Sequence, residues 1–94
     1  METTIKEIID YVQSTGGLYS DWYCGIATNP RERLFEKHNV DQNDYWIFNE
    51  CASTDIARAV EKYLLQMGFD GGPGGGDQST VFVYAYKKTP YTKE

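Results

Sequence analysis

Between Asp70 and Ser79 the chain carries Gly71, Gly72, Pro73, Gly74, Gly75 and Gly76 in succession, and neither a helix nor a central strand survives such a run. Everything regular must therefore form before residue 70 or after residue 79. Behind the run, Thr80 to Lys88 is rich in aromatic and β-branched residues and reads as a strand, followed by a polar tail at 89–94 around Pro90. The run lacks the lysine and the serine or threonine of a P-loop, and no strand leads into it. It predicts a flexible connector over 70–79, with backbone amides that can face a phosphate if it folds over one.

Ahead of the run, two amphipathic helices are legible. Ile5, Ile8, Ile9 and Val12 fall at i, i+3, i+4 and i+7, with Thr4 and Glu7 in capping-box spacing and Gly16-Gly17 as the stop. Ser53 or Thr54 caps a second helix whose stripe is Ile56, Ala59, Val60, Tyr63, Leu64 and Met67, closed by Gly68. A short helix between them starts with Asn29 as cap, Pro30 at the first position and Glu32 three residues after the cap, and carries Arg31, Arg33, Leu34, Phe35 and Lys37. Extended structure is expected from Leu18 to Ala27, best defined over Trp22 to Ala27. A second strand spans Tyr45 to Cys51, its apolar run suggesting a central position covered on both faces. The order α-β-α-β-α-β predicts a small α/β domain over residues 1–94: a three-stranded, mainly antiparallel sheet flanked by three helices.

Charge narrows the partners. With 14 acidic residues against 9 Lys and Arg, the net charge is −5, whereas proteins that hold phosphate backbones usually carry a basic excess. Contact with nucleic acid must then rest on a local patch. Cys24 and Cys51 both fall in apolar strand-like runs, where a free thiol acts as a small hydrophobe. The first seven residues carry two acids and no apolar core of a signal peptide, so a reducing, cytoplasmic setting is expected. No apolar stretch reaches the length of a membrane span, and no membrane partner is expected.

The chemistry concentrates in Tyr23-Cys24-Gly25-Ile26-Ala27-Thr28-Asn29-Pro30-Arg31-Glu32-Arg33. A tyrosine and a glycine end a strand, a capped turn follows, and an arginine lands on the first turns of a helix. This aims a phenol and a guanidinium at one spot, where an anionic oxygen such as a phosphate oxygen is well received. Gly25 leaves room for a close approach to the backbone. Taken singly, each residue has a plain structural reading: Tyr23 as a packed aromatic, Arg33 paired with Glu32 or Glu36, Glu61 paired with Arg58, and His38 capping a helix C-terminus.

In combination these residues resemble the GIY-YIG nuclease domain over roughly residues 18 to 67. In that family a tyrosine-x-glycine strand precedes an arginine ten positions on, as Tyr23 and Arg33 stand here, and a later helix carries a metal-binding glutamate, matched by Glu61. The resemblance implies hydrolysis of a phosphodiester in DNA or RNA with Mg²⁺ or Mn²⁺ held by Glu61, Arg33 neutralising the transition state, and Tyr23 or His38 taking a proton from water.

Three positions depart from the family pattern. The first tyrosine triplet looks like Gly17-Leu18-Tyr19, yet Tyr19 stands only four residues before Tyr23, too close for facing strands of a hairpin. The family's histidine or tyrosine one turn beyond the arginine would fall at Lys37, with His38 one residue late. The family's downstream asparagine has no equivalent after the glycine run. For the first departure the sequence offers a remedy: Val81 to Tyr86 can pair beside Trp22 to Ala27, as in a circular permutation, with Tyr84 or Tyr86 taking the place of the first tyrosine. The alternative function is a catalytically degenerate GIY-YIG-like fold serving as a binding or inhibitor module for a protein partner.

Overall fold

The computed structural model describes residues 2–72 and 79–94, so residues 73–78 of the expected flexible connector lie outside the described residues. Its elements are α1 (Glu2–Thr15), β1 (Trp22–Ala27), a short π-helical segment (Glu32–Lys37), β2 (Trp46–Glu50), α2 (Thr54–Met67) and β3 (Phe82–Lys87). The fold is a small α/β arrangement of one three-stranded antiparallel sheet and helices, in the order β1-β3-β2.

The C-terminal strand is therefore the central one, and it pairs along the whole of β1, with Tyr86 opposite Tyr23 and Tyr84 opposite Gly25. β2 lies at an edge rather than in the centre, with Trp46 opposite Tyr86 and Phe48 opposite Tyr84. Its apolar character on both faces has another cause. Ile47 packs toward the helices while Trp46 and Phe48 pack on the other side, and all three are only partly buried.

The period of two sorts the sheet into two unlike faces. Trp22, Cys24, Ile26, Val83 and Ala85 meet Ile8 and Val12 of α1 and Ala57, Val60 and Leu64 of α2 in an aliphatic core. Tyr23, Ala27, Tyr84 and Tyr86 face the other way, against Leu34 and Val40. Leu34 is fully buried there and ties the short helix to the sheet. Its truncation to Ala is expected to cost about 2–5 kcal/mol.

Local chemistry explains most element ends. Ser53 caps α2 by accepting from the Ile56 amide at 3.2 Å, and Gly68 closes it with φ of 118°. The Asn29 side chain accepts from the Glu32 amide at 3.2 Å. Three expectations need correction. α1 is already helical at Glu2, so Thr4 is not its cap; the Thr4 hydroxyl instead hydrogen-bonds the Cys51 thiol. Tyr19–Asp21 is a 3-10 turn rather than strand, because the Asp21 carboxylate accepts the Leu18 amide at 3.1 Å and closes the chain locally. On α2 the buried line is Ala57, Val60 and Leu64, leaving Ala59 and Tyr63 exposed and bringing Glu61 to a half-buried position.

β1 is the other edge of the sheet, but only half of it is open. After Gly68 the chain returns, and Asp70 bridges it: the Cys24 amide donates to the Asp70 carbonyl at 2.9 Å and the Asp70 amide to the Trp22 carbonyl at 2.8 Å. No pairing on that side continues past Cys24 among the described residues.

Candidate functional site

The site grows from the glycine at position 25. A Cβ there would lie 2.5 Å from the Tyr84 hydroxyl oxygen and 2.7 Å from Cζ of the same ring. Only glycine lets the phenol of the central strand lie across β1, carrying its hydroxyl from the middle of the sheet toward the edge strand. The Tyr84 hydroxyl then shares a 2.7 Å hydrogen bond with His38 Nε2. On its other side, His38 Nδ1 lies 2.7 Å from the Lys93 carbonyl oxygen and 3.2 Å from the Tyr86 hydroxyl.

His38 reaches this place through the geometry of its helix. Its amide donates to the Arg33 carbonyl at 2.9 Å, an i→i+5 bond, and the Val40 amide donates to the Leu34 carbonyl at 2.9 Å. The segment Glu32–Lys37 is thus widened into a π turn, which absorbs one extra residue. A residue five after Arg33 then occupies the angular position that an α-helix gives to the fourth. Lys37, the residue at that spacing, is exposed on the outside, and His38 is buried in its stead. Asn39 follows with φ of 57°, turning the chain away.

Tyr23 joins the cluster as a ring rather than as a free hydroxyl. It stacks on Tyr86 at 5.3 Å and tilts against His38 at 4.8 Å, and its hydroxyl accepts from the Gly72 backbone amide. Tyr19 stays outside: it stacks on Phe69 at 5.4 Å within the helix-covered core, and its hydroxyl accepts from Gln13. The Tyr84 and Tyr86 hydroxyls are both held well above the ordinary phenol range, chiefly by burial.

Charges from both faces of the sheet bear on Tyr84. Arg33, from the helix over the aromatic face, pulls its acidity one way; Glu61, from α2 on the aliphatic face, pushes it the other. Arg33 and Glu61 therefore both act electrostatically on Tyr84, although their helices cover opposite faces of the sheet. Glu61 is held above the usual carboxylate range by its own burial, against the pull of Arg58. Its charge also adds to burial in pushing the Cys24 thiol up to about 12. His38 is shifted the other way: burial, reinforced by Arg33, lowers it and favours the neutral ring, against the Lys93 carbonyl.

No protein-family model, curated protein or solved structure matches this chain. Its chemistry must be read from its own geometry. Beside Arg33 a hollow of about 250 Å³ opens at the end of β1, lined also by Thr28, Asn29, Glu32 and Thr80, with the two threonine hydroxyls 3.1 Å apart. Tyr84, His38 and Glu61 are not among its walls, so of the candidate residues it holds Arg33 alone. Among the described residues no group of three or more His, Cys, Asp and Glu side chains could hold a metal ion, and no helix is long and apolar enough to cross a membrane. Both cysteines are free and buried.

The segment at 89–94, expected only as a polar tail, is tied to the site. Thr89 to Thr92 close a turn around Pro90, the Asn39 side chain donates to the Tyr91 carbonyl at 2.9 Å, and the Lys93 amide donates to the His38 carbonyl at 2.7 Å. Lys88, just past the end of β3, pairs with Asp70 at 3.1 Å. The contacts to Tyr91 and Lys93 use the tail's backbone atoms, which leave no side-chain pattern to read.

Proposed function

We propose that this chain is a GIY-YIG-like domain that hydrolyses phosphodiester bonds in nucleic acid with the help of Mg²⁺ or Mn²⁺, its first-triplet tyrosine supplied by Tyr84 of the C-terminal strand. One observation carries the reading: the Tyr84 hydroxyl is hydrogen-bonded to His38 and lies in the fields of both Arg33 and Glu61. The pairing of Tyr84 opposite Gly25 supports the permuted arrangement, since it puts the family's two tyrosine strands side by side.

The acidities suggest how the proton moves. Tyr84 is held too high to rest as phenolate, so it serves as a base only by giving up its own proton as it receives one. His38, buried and biased to the neutral form, takes that proton. Water transfers a proton to the Tyr84 oxygen, the Tyr84 proton passes to His38, and the resulting hydroxide adds to phosphorus. The bond to the leaving strand breaks, and the leaving oxygen takes a proton from solvent. Arg33 offsets the charge that gathers on the phosphoryl oxygens.

A hard cation fits this donor set, though thinly. Glu61 offers one half-buried carboxylate without a cage, and Mg²⁺ characteristically keeps waters and phosphate oxygens around a single protein anchor. Bound there, the ion supplies charge stabilisation at the phosphoryl group.

The test is cleavage of supercoiled plasmid and of short single strands in millimolar Mg²⁺ or Mn²⁺. Arg33→Ala, Glu61→Gln and Tyr84→Phe are each expected to lower turnover by about 10²-fold or more. Cleavage that survives all three overturns the assignment. The net charge of −5 and the single metal-binding carboxylate favour a second reading, a protein-binding module on the same fold. Absence of any metal-induced NMR shift near Glu61, Arg33 and Tyr23 at millimolar metal selects that reading.

A further inference from the structure

We infer that the C-terminal segment is a working part of the site: the backbone carbonyl of Lys93 sets the tautomer of His38 and so gives the Tyr84–His38 hydrogen bond its direction. The inference deepens the proposed function, on which its catalytic meaning rests, but its structural content stands apart from any turnover.

A carbonyl oxygen can only accept. With His38 Nδ1 2.7 Å from the Lys93 oxygen, the proton of the neutral ring must sit on Nδ1. Nε2 is then a bare lone pair, and the 2.7 Å contact with Tyr84 has one polarity: the phenol O–H donates and Nε2 accepts. The remaining lone pairs of the Tyr84 oxygen are left for an outside donor such as water. In the opposite tautomer Nε2–H would donate to the phenol and the relay could not start. Lys93 thus acts as a positioning residue through His38, in the manner of any group that fixes a histidine tautomer from behind.

The segment is built to hold that carbonyl still. Lys93 binds His38 twice, its amide to the His38 backbone carbonyl at 2.7 Å and its carbonyl to the ring. The Tyr86 hydroxyl donates to the same Lys93 oxygen at 3.4 Å, and Asn39 holds Tyr91 two residues earlier. His38, Asn39, Tyr86 and the segment therefore close a small hydrogen-bonded ring behind the imidazole.

His38 is the one histidine of the chain, so its ring nitrogens can be read directly by long-range ¹H–¹⁵N correlation without assignment. At neutral pH the full chain is expected to show a protonated-type Nδ1 and an unprotonated-type Nε2. Lys93→Pro removes the donated amide and places a ring carbon against the His38 carbonyl, which pushes the segment away. In that variant the two nitrogen resonances are expected to converge as both tautomers populate. Tyr84→Phe is expected to leave Nδ1 protonated.

An Nε2-protonated ring in the full chain overturns the inference. So does a folded Lys93→Pro chain with unchanged resonances. If Lys93→Pro fails to fold, Tyr84→Phe still decides: a switch to Nε2–H there assigns the tautomer to Tyr84 and not to Lys93. Where the nuclease reading holds, Lys93→Pro also lowers turnover by about 10²-fold. A native chain with the expected tautomer and no cleavage sinks the nuclease reading alone.

Discussion

Replacing Gly25 by alanine tests the whole architecture of the site with one methyl group. The added Cβ would meet the Tyr84 oxygen at 2.5 Å, Cζ at 2.7 Å and Cε2 at 3.0 Å. Carbon atoms pack at about 3.5–4.0 Å, so the ring must retreat by roughly 1 Å. It has no free direction in which to do so, since Tyr84 is 3% exposed and its hydroxyl is bound to His38. A retreat of that size stretches the 2.7 Å bond beyond hydrogen-bonding range. Overpacking of a filled core costs about 1–3 kcal/mol. The broken bond adds about 1 kcal/mol. A loss of about 2–4 kcal/mol follows, which in a domain of this size lowers Tm by roughly 10–25 °C.

Urea unfolding gives the comparison directly: the midpoint is expected to fall with the slope m unchanged. Pairing Gly25→Ala with Tyr84→Leu isolates the contact, because leucine does not reach the space above residue 25. The double variant is expected to be less destabilised than the two singles summed, by at least about 1 kcal/mol. Strict additivity, or a Gly25→Ala protein within about 0.5 kcal/mol of the parent, refutes the claim that the bare backbone at 25 is what lets Tyr84 reach its position.

Three further outcomes follow from the same groups. Because burial lowers His38 below its ordinary 6.5, the unfolded chain binds that proton more readily than the folded one; stability is full above about 6.5 and declines as pH falls through the folded value. His38→Gln is expected to flatten that decline in melting curves taken between about pH 7.5 and 5.5. Glu61 is shifted upward from 4.5, so its contribution is present at low pH and lost as pH rises. Glu61→Gln is therefore expected to raise Tm near pH 7, with the gain vanishing below about pH 4, even as it removes the candidate metal anchor; a lower Tm at pH 7 contradicts the assigned cause of the shift. Asn39 combines φ of 57° with its bond to Tyr91. Asn39→Gly keeps the turn and should selectively speed hydrogen exchange at the Lys93 amide, whereas Asn39→Ala should also lose about 1–2 kcal/mol of global stability.

What the residue pattern reveals and what it hides divide along physical lines. Ser53, Gly68 and Asn29 act locally, through their own side chains or lack of one, and each is readable in place. The pairing of Val81–Tyr86 beside Trp22–Ala27 was legible because a β-rich stretch needs a partner and Tyr19 stands too near Tyr23 to supply one. The apolar run at Tyr45–Cys51 reports how much of a strand is covered but not by what, so β2 reads as central when helix and loop residues cover it at an edge. The π turn is invisible in composition: nothing in Glu32–Lys37 announces a sixth residue per hydrogen-bonded loop, and the resulting place of His38 can be found only from the Arg33 carbonyl. The strap at 89–94 is hidden for a related reason, since backbone amides and carbonyls make its contacts to His38 and Asn39.

The central position of β3 also bears on how such a strand pairing is assembled. Two antiparallel strands bring Tyr23 opposite Tyr86 and Gly25 opposite Tyr84 whichever strand comes first in sequence. What changes is the connection: here 54 residues lie between Ala27 and Phe82, where a long hairpin loop would hold about ten. Loop-closure entropy rises by only about 0.6 kcal/mol per doubling, so the exchange costs roughly 1.5 kcal/mol in a freely jointed chain. That sum is comparable to the burial of one aliphatic side chain, and β3 buries Val83, Tyr84, Ala85 and Tyr86. Thermodynamics thus places little obstacle before a central strand that arrives last in sequence. The burden falls on kinetics, because the strand that must sit in the middle is the most distant in sequence, and pairings of that separation form slowly.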